Sequence, residues 1–259
     1  MKSKWTLAML AGMISIGLAA CGDNNENSKE ADKDNAKQEQ TEQTKEQTAQ
    51  MEEMQKKMEE QQVDEKATVA VVNEEDIKGQ AYNALLSDSQ IRYQQMGQDP
   101  TTKEVAAQLK ESTLDSLIGQ TLLLQEADKK GYEASEEEIQ KELDTIKENY
   151  EDDAQFEETL KSSGLTMDGL KGEIANNIKY TAYVENELTI EEVKEEDVKA
   201  YYDKYAEQSS GSEEAKSQVP EYEEIKDQIK QQLENQNTQD VLTAEVERLK
   251  KDASIDVKI

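Results

Sequence analysis

The chain has 259 residues, with 59 acidic side chains against 30 basic ones, no histidine and a single cysteine, for a formal net charge of −29. So acidic a surface repels phosphate backbones, which excludes nucleic acid as a partner, and a lone cysteine excludes an internal disulfide. The missing imidazole removes the common general base, the Ser-His and Cys-His nucleophile pairs and His-containing metal sites.

The N-terminus carries Lys2 and Lys4 and then an apolar run from Trp5 to Ala20, the charged-then-apolar layout of a secretory signal peptide over residues 1–20. The run is interrupted by Gly12, Ser15 and Gly17 and turns polar at Asp23. That is short of the roughly 20 apolar residues a membrane span needs. Its end, Leu18-Ala19-Ala20-Cys21, resembles the lipobox of bacterial lipoproteins. The resemblance implies cleavage before Cys21, a diacylglyceryl thioether on its sulfur, and anchoring at the extracytoplasmic face of the cell membrane. Two acyl chains suffice for stable anchoring. Loss of the two signal lysines moves the formal charge from −29 to −31.

Residues 21–67 hold mostly Gln, Glu, Lys, Thr, Asn and Asp and have too little to bury to offset the entropy of ordering, so a polar tether is expected. As a flexible coil it reaches roughly 35–40 Å. Thr44, Met51 and Met58 fall at heptad spacing, but Thr48, Gln55 and Gln62 at the alternate positions are polar, which favours a solvated helix over a coiled coil. Asp32 and Asp34 do not begin a calcium loop, since Lys37 and Gln43 stand where glycine and glutamate are required.

The folded part is expected over 68–259. Hydrophobic residues make up 34% of the chain and aromatics 5%, below the roughly 45–50% apolar usage, glycine included, of compact domains. A thin, extended helical body follows. Thr68-Val69-Ala70-Val71-Val72-Asn73 reads as a strand. Ile255, Val257 and Ile259 alternate with polar residues as a second. The two termini should pair, because a lone strand leaves its backbone groups unsatisfied.

Between them the periodicity is helical. Ile77, Ala81, Ala84, Leu85 and Ile91 predict a first helix ending near Gly97 and Pro100. Val105, Leu109, Leu114, Leu117, Ile118, Leu122 and Leu124 predict a central core helix stopped by Gly131. Ser135 and Glu138 form a capping box before Ile139, Leu143, Ile146 and Tyr150. Phe156 and Leu160 mark a short helix ended by Gly164, and Thr166 caps a longer one carrying Leu170, Ile174, Ile178 and Thr181. A tyrosine-rich helix with Val193, Val198, Tyr201, Tyr202 and Tyr205 leads into a linker at 207–219. Pro220 then opens a long last helix with stripes at Ile225, Ile229, Leu233 and at Leu242, Val246, Leu249. The polar stretch 234–240 between these stripes predicts packing at both ends and exposure in the middle.

Val-Ala-Val-Val-Asn at 69–73, Leu114-Asp-Ser-Leu-Ile-Gly-Gln-Thr-Leu-Leu-Leu-Gln-Glu-Ala127 and Lys-Lys-Gly131-Tyr-Glu-Ala-Ser-Glu-Glu-Glu-Ile139 resemble the N-terminal chaperone domain of SurA and PrsA-type foldases. Gly164-Leu-Thr with Leu170, Glu195-Glu-Asp-Val-Lys-Ala-Tyr-Tyr202 and the helix from Tyr222 to Leu249 follow the same pattern. The resemblance implies a mainly α, SurA-N-like fold closed by a long C-terminal helix. In PrsA-type lipoproteins a parvulin prolyl isomerase domain is inserted before that helix. Here the short 207–219 linker stands in its place, and the histidines of parvulin active sites are absent from the chain.

No catalytic residue, metal ligand or cofactor site emerges. Acidic runs such as Glu136-Glu137-Glu138 and Glu195-Glu196-Asp197 sit at helix starts, where they favour the helix dipole. Gly97, Gly131 and Gly164 read as helix stops rather than a phosphate loop. Tyr82, Tyr93, Met96, Tyr180, Tyr183, Tyr201, Tyr202 and Tyr205 are candidates for loose recognition of apolar peptide segments, their alternative being packing between helices. The expectation is a non-enzymatic, lipid-anchored, ATP-independent holdase or foldase-like chaperone for unfolded exported proteins. A partner-binding scaffold of the cell envelope is the alternative, and an active isomerase is disfavoured.

Overall fold

The computed structural model describes residues 50–209 and 219–259. Leu18, Ala19, Ala20 and Cys21, the signal segment, most of the expected tether and residues 210–218 of the expected linker lie outside the described residues. The chain divides into two compact units, 1–53 and 54–259. Of the first, residues 50–53 are described and are helical.

The second unit opens with α1 (54–59 within this unit) and then β1 (Thr68–Val72). Val69, Ala70 and Val72 of β1 are fully buried. β1 turns directly into β2 (Glu75–Lys78), with Val72 opposite Glu75. The two turn residues, Asn73 and Glu74, have φ of 49° and 74°, the left-handed pair that a two-residue hairpin with native twist requires. Asparagine tolerates that region readily; glutamate there is strained. The first-helix periodicity takes Ile77 as its opening residue. In the structure Ile77 belongs to β2 instead, as its one buried side chain.

β3 (Ile255–Val257) pairs antiparallel with the other edge of β1, Val72 facing Ile255 and Ala70 facing Val257. The sheet order is β2-β1-β3. The expected pairing of the two ends is present, and Asn73 reinforces it. Its backbone N–H donates to Ser254 O, and its side-chain Oδ1 accepts from Ser254 N, both at 2.9 Å.

α2 (Gly79–Gln95) buries Tyr82, Leu86 and Gln90 at i, i+4 spacing. Ala81, Ala84 and Ile91 of the expected stripe are exposed, Ile91 by 50%. The face is rotated because the preceding segment covers it with polar contacts. Val63 N donates to Asn83 Oδ1 at 2.9 Å and Asn83 Nδ2 returns a bond to Val63 O at 2.7 Å. Gln90 Nε2 donates to Gln61 Oε1 at 3.1 Å, and Gln61 Nε2 to Pro100 O at 3.1 Å. A Cβ on Gly79 would lie 2.0 Å from Asp64 O, so only glycine admits this loop. The folded unit therefore begins near Met54, and the expected tether boundary at 67 is moved upstream.

α3 (Lys103–Lys130) is the central element, capped by Thr102 and ended by Gly131 at φ 84°. With the sheet and α2 it forms the main core, where Leu109, Leu114, Leu117, Ile118 and Leu122 are buried. α4 (Glu136–Lys147) starts at the Ser135–Glu138 capping box, α5 (Asp153–Ser162) at Asp152 and α6 (Met167–Glu187) at Thr166. Each such cap contributes about 1 kcal/mol. Ile139, Leu143, Phe156 and Ile174 make a second core among these three helices. α7 (Glu195–Ser209) packs on the first half of α8 (Tyr222–Lys250) through Val193, Val198 and Ile229. Its last turn occupies 207–209, the start of the expected linker. The second half of α8 returns to α3 and α6, with Leu242, Val246 and Leu249 against Leu123, Ala127, Tyr183 and Val184.

A chain beginning at residue 68 should be less stable than one beginning at 54 by about 3 kcal/mol, from the lost burial of Val63 and the Asn83 hydrogen bonds at about 1 kcal/mol each. Urea unfolding of the two chains checks this; equal midpoints would restore the boundary at 67.

Candidate functional site

A crevice of about 1090 Å³ lies among α3, α6 and α8, with β2 and the start of α2 contributing to its wall. Its floor is apolar. α3 supplies buried Leu117 and Leu123 and half-buried Leu124, α6 supplies half-buried Tyr180, and α8 supplies half-buried Leu242 and Val246. Gly119 lets the two helices approach closely here, since a Cβ there would stand 3.2 Å from the Val246 side chain and press on it. The rim is polar: Asn176 and Asn177 on α6, Gln239 and Thr243 on α8, together with charged groups. A depression of about 460 Å³ along α4 is lined by Glu137, Gln140, Lys141, Asp144, Thr145 and Glu148, with no apolar side chain to hold a ligand.

Behind the floor, a polar network ties the three helices together. Tyr183 Oη donates to Glu245 Oε1 at 2.6 Å. Arg248 grips the same carboxylate through Nε at 2.9 Å and Nη2 at 2.7 Å, and Glu126 of α3 lies 3.7 Å from its guanidinium. Arg248 hydrogen-bonding and the Tyr183 hydroxyl hold the Glu245 carboxyl below the usual glutamate range, against the opposing effect of burial. Burial and the neighbouring Glu245 push the Tyr183 phenol far up. At neutral pH the tyrosine is thus a neutral donor to an ionised acceptor. Farther along, Lys179 pairs with Asp128 at 2.7 Å, and Tyr132 Oη donates to Glu187 at 3.0 Å.

Of the eight side chains singled out from the sequence, Tyr180 alone lines the crevice. Tyr82 and Tyr183 are 1% and 2% exposed and belong to cores, Tyr183 edge-on to Tyr132 at 6.2 Å. No peptide reaches those rings without parting the helices. Tyr93 is half-buried against the main core. Tyr201 accepts from Gln232 Nε2 at 2.8 Å, and Tyr202 donates to Pro220 O at 2.9 Å while packing edge-on to Tyr222. Met96 and Tyr205 are exposed, at a helix end and on α7 respectively. Leu124, Leu242 and Val246 were legible only as members of helical stripes. Their shared opening with Tyr180 follows from how three helices meet.

Among the described residues no cluster of Cys, Asp or Glu is arranged to hold a metal ion. No described helix is long and apolar enough to cross a membrane.

Residues 58–184 match the family described as the SurA-like N-terminal domain. The chain is 30% identical over 149 residues to a protein named foldase protein PrsA from Clostridium botulinum (strain 657 / Type Ba4), an alignment covering 53% of this chain and 44% of that protein. A protein of the same name from Clostridium perfringens (strain 13 / Type A) is 32% identical over 155 residues, 57% of this chain and 45% of the relative. The chain thus spans less than half the length of these relatives.

The Tyr183–Glu245–Arg248 network should bound stability on two sides of pH. Glu245 titrates in the fold below the ordinary 4.5, so its contribution is complete above about pH 4.5 and disappears as pH falls through the folded value. Tyr183 titrates above the ordinary 10.0, so its contribution is complete below about pH 10 and disappears as pH rises through the folded value. Glu245→Gln should flatten the acid limb of the urea midpoint against pH, and Tyr183→Phe should cost about 1–2 kcal/mol at pH 7. An unchanged acid limb in the glutamine variant would show that the network carries no such linkage.

Proposed function

Because residues 58–184 match the SurA-like N-terminal domain family, we propose that the protein is an ATP-independent holdase or foldase-like chaperone, and that its α3–α6–α8 crevice shelters apolar segments of unfolded exported polypeptides. The observation that carries this reading is an apolar floor of Leu117, Leu123, Leu124, Tyr180, Leu242 and Val246 inside a polar rim. The crevice slightly exceeds the roughly 300–1,000 Å³ of small-molecule sites, a size suited to a few side chains of a peptide. Its half-open, mixed surface favours weak and sequence-tolerant contacts over tight binding of one ligand. The strongly acidic exterior keeps a loaded chaperone soluble, since like-charged complexes repel.

The chaperone acts without prolyl isomerase chemistry. Support comes from the sequence: no histidine anywhere, and only residues 207–219 where PrsA-type proteins carry their inserted domain. Leu18-Ala19-Ala20-Cys21 supports a lipid anchor on Cys21 that holds the protein at the extracytoplasmic face of the cell membrane. Clients emerging from export would meet the crevice close to the bilayer.

The unit 54–259 should suppress aggregation of a chemically unfolded model protein at near-equimolar amounts, read by light scattering. Asn177→Trp with Thr243→Trp fills the crevice from its exposed rim and should weaken suppression about 3-fold or more at an unchanged urea midpoint. Suppression that survives the filled crevice would move the client site elsewhere; no suppression by the parent unit would end the chaperone reading. Separately, Cys21→Ser should abolish incorporation of labelled palmitate and release the protein from the membrane fraction on cell breakage. Continued labelling of the serine variant would remove the anchor assignment.

A further inference from the structure

The rim of the crevice carries more negative than positive charge. We propose that it selects apolar segments flanked by lysine or arginine over equally apolar segments flanked by acidic residues, an inference that rests on the function proposed above. Five carboxylates line the opening, Glu75, Asp76, Asp115, Glu173 and Glu247, against two ammonium groups, Lys78 and Lys250, a local net of −3.

The pairings show which of these charges are already satisfied. Lys78 donates to Asp76 at 2.6 Å and to the Thr68 hydroxyl at 2.9 Å. Lys250 is divided between Glu247 at 3.2 Å and Asp115 at 3.5 Å. Two carboxylates therefore share one ammonium. Glu75 accepts an amide hydrogen bond from Gln125 Nε2 at 2.8 Å but has no cation beside it among the described residues. Glu173, exposed on α6, has no ion pair among the described residues.

The floor, by contrast, holds no charge at all. A segment that lays Leu, Val or Tyr side chains on Leu124, Tyr180, Leu242 and Val246 brings its flanking residues up to the rim, where lysine or arginine meets an unbalanced carboxylate. An acidic flank there meets repulsion and must also compete with Asp115 and Glu247 for Lys250. Discrimination of this kind comes from the wrong partner being disfavoured as much as from the right one being attracted.

The test uses the full chain in nonionic detergent and two fluorescein-labelled peptides sharing one apolar centre of leucine, valine and tyrosine. One carries two lysines at each end, the other two glutamates. At about 20 mM salt the lysine peptide should bind about 10-fold tighter or more, and the ratio should approach one at about 500 mM salt, where screening is short-ranged. Glu173→Lys with Glu247→Lys should invert the preference. The same charge change made on α4, Glu137→Lys with Glu148→Lys, should leave it in place, which separates the rim from the charge of the whole molecule. Equal affinities for the two peptides, or an α4 variant that shifts the ratio as far as the rim variant, would overturn the inference and leave the crevice as a peptide site. Failure of both peptides to bind would instead overturn the proposed function, and this inference with it.

Discussion

Val246 of α8 rests on α3 where Gly119 has no side chain, and this crossing holds the last helix against the first part of the fold. A methyl group at Gly119 would press on both Val246 methyls at 3.2–3.3 Å. Beyond the crossing, α8 delivers β3 to β1, so that the sheet is completed by residues from the far end of the unit. Before it, α8 carries the tyrosine-rich α7, which packs on it through Val198 and Ile229. Asn237, in the polar middle of α8, donates to Glu191 O at 3.1 Å and fixes that segment. Both residues of the crossing also line the crevice, so the contact that closes the fold also shapes the candidate site.

The low apolar content is accommodated by dividing the core. Among the described residues four clusters occur rather than one, and Leu249 touches two of them. Each helix then needs only a narrow buried stripe, which 34% hydrophobic composition can supply. Local chemistry makes up part of what a thin core lacks. Ser135, Asp152 and Thr166 each accept a backbone N–H at a helix start, and acidic residues crowd first turns where the helix dipole favours them. Ion pairs between helices, such as Lys179–Asp128 and Lys171–Glu136, are partly exposed and add register more than stability. Such a construction leaves polar-rimmed gaps between helices, and the crevice is one whose floor is apolar.

β2, with one buried side chain in Glu-Asp-Ile-Lys, carries almost no strand signal; it exists because Asn73 and Glu74 adopt positive φ and β1 offers an open edge. The buried face of α2 departs from its apolar stripe because Gln90 and Asn83, polar by type, are its docking residues for the segment before β1. That segment itself looked like tether, since Gln61 and Val63 gain value only from partners distant in the chain. Tyrosines suit peptide binding by type, yet Tyr82 and Tyr183 are packed within cores, a distinction that periodicity does not encode.

What the sequence determined by itself is everything governed by neighbours within about one or two helical turns: the caps at Ser135 and Thr166, the stops at Gly97, Gly131 and Gly164, the stripes of α3 and α8, and the two terminal strands. These depend on local backbone preferences and on side-chain spacing, both of which are written in consecutive residues. Tertiary structure alone decided the start of the folded unit, the addition of β2, the Tyr183–Glu245–Arg248 network and the meeting of Leu124, Tyr180, Leu242 and Val246 around one opening. Those features arise from contacts between residues far apart in the chain, whose energies exist only once α3, α6 and α8 have been brought together.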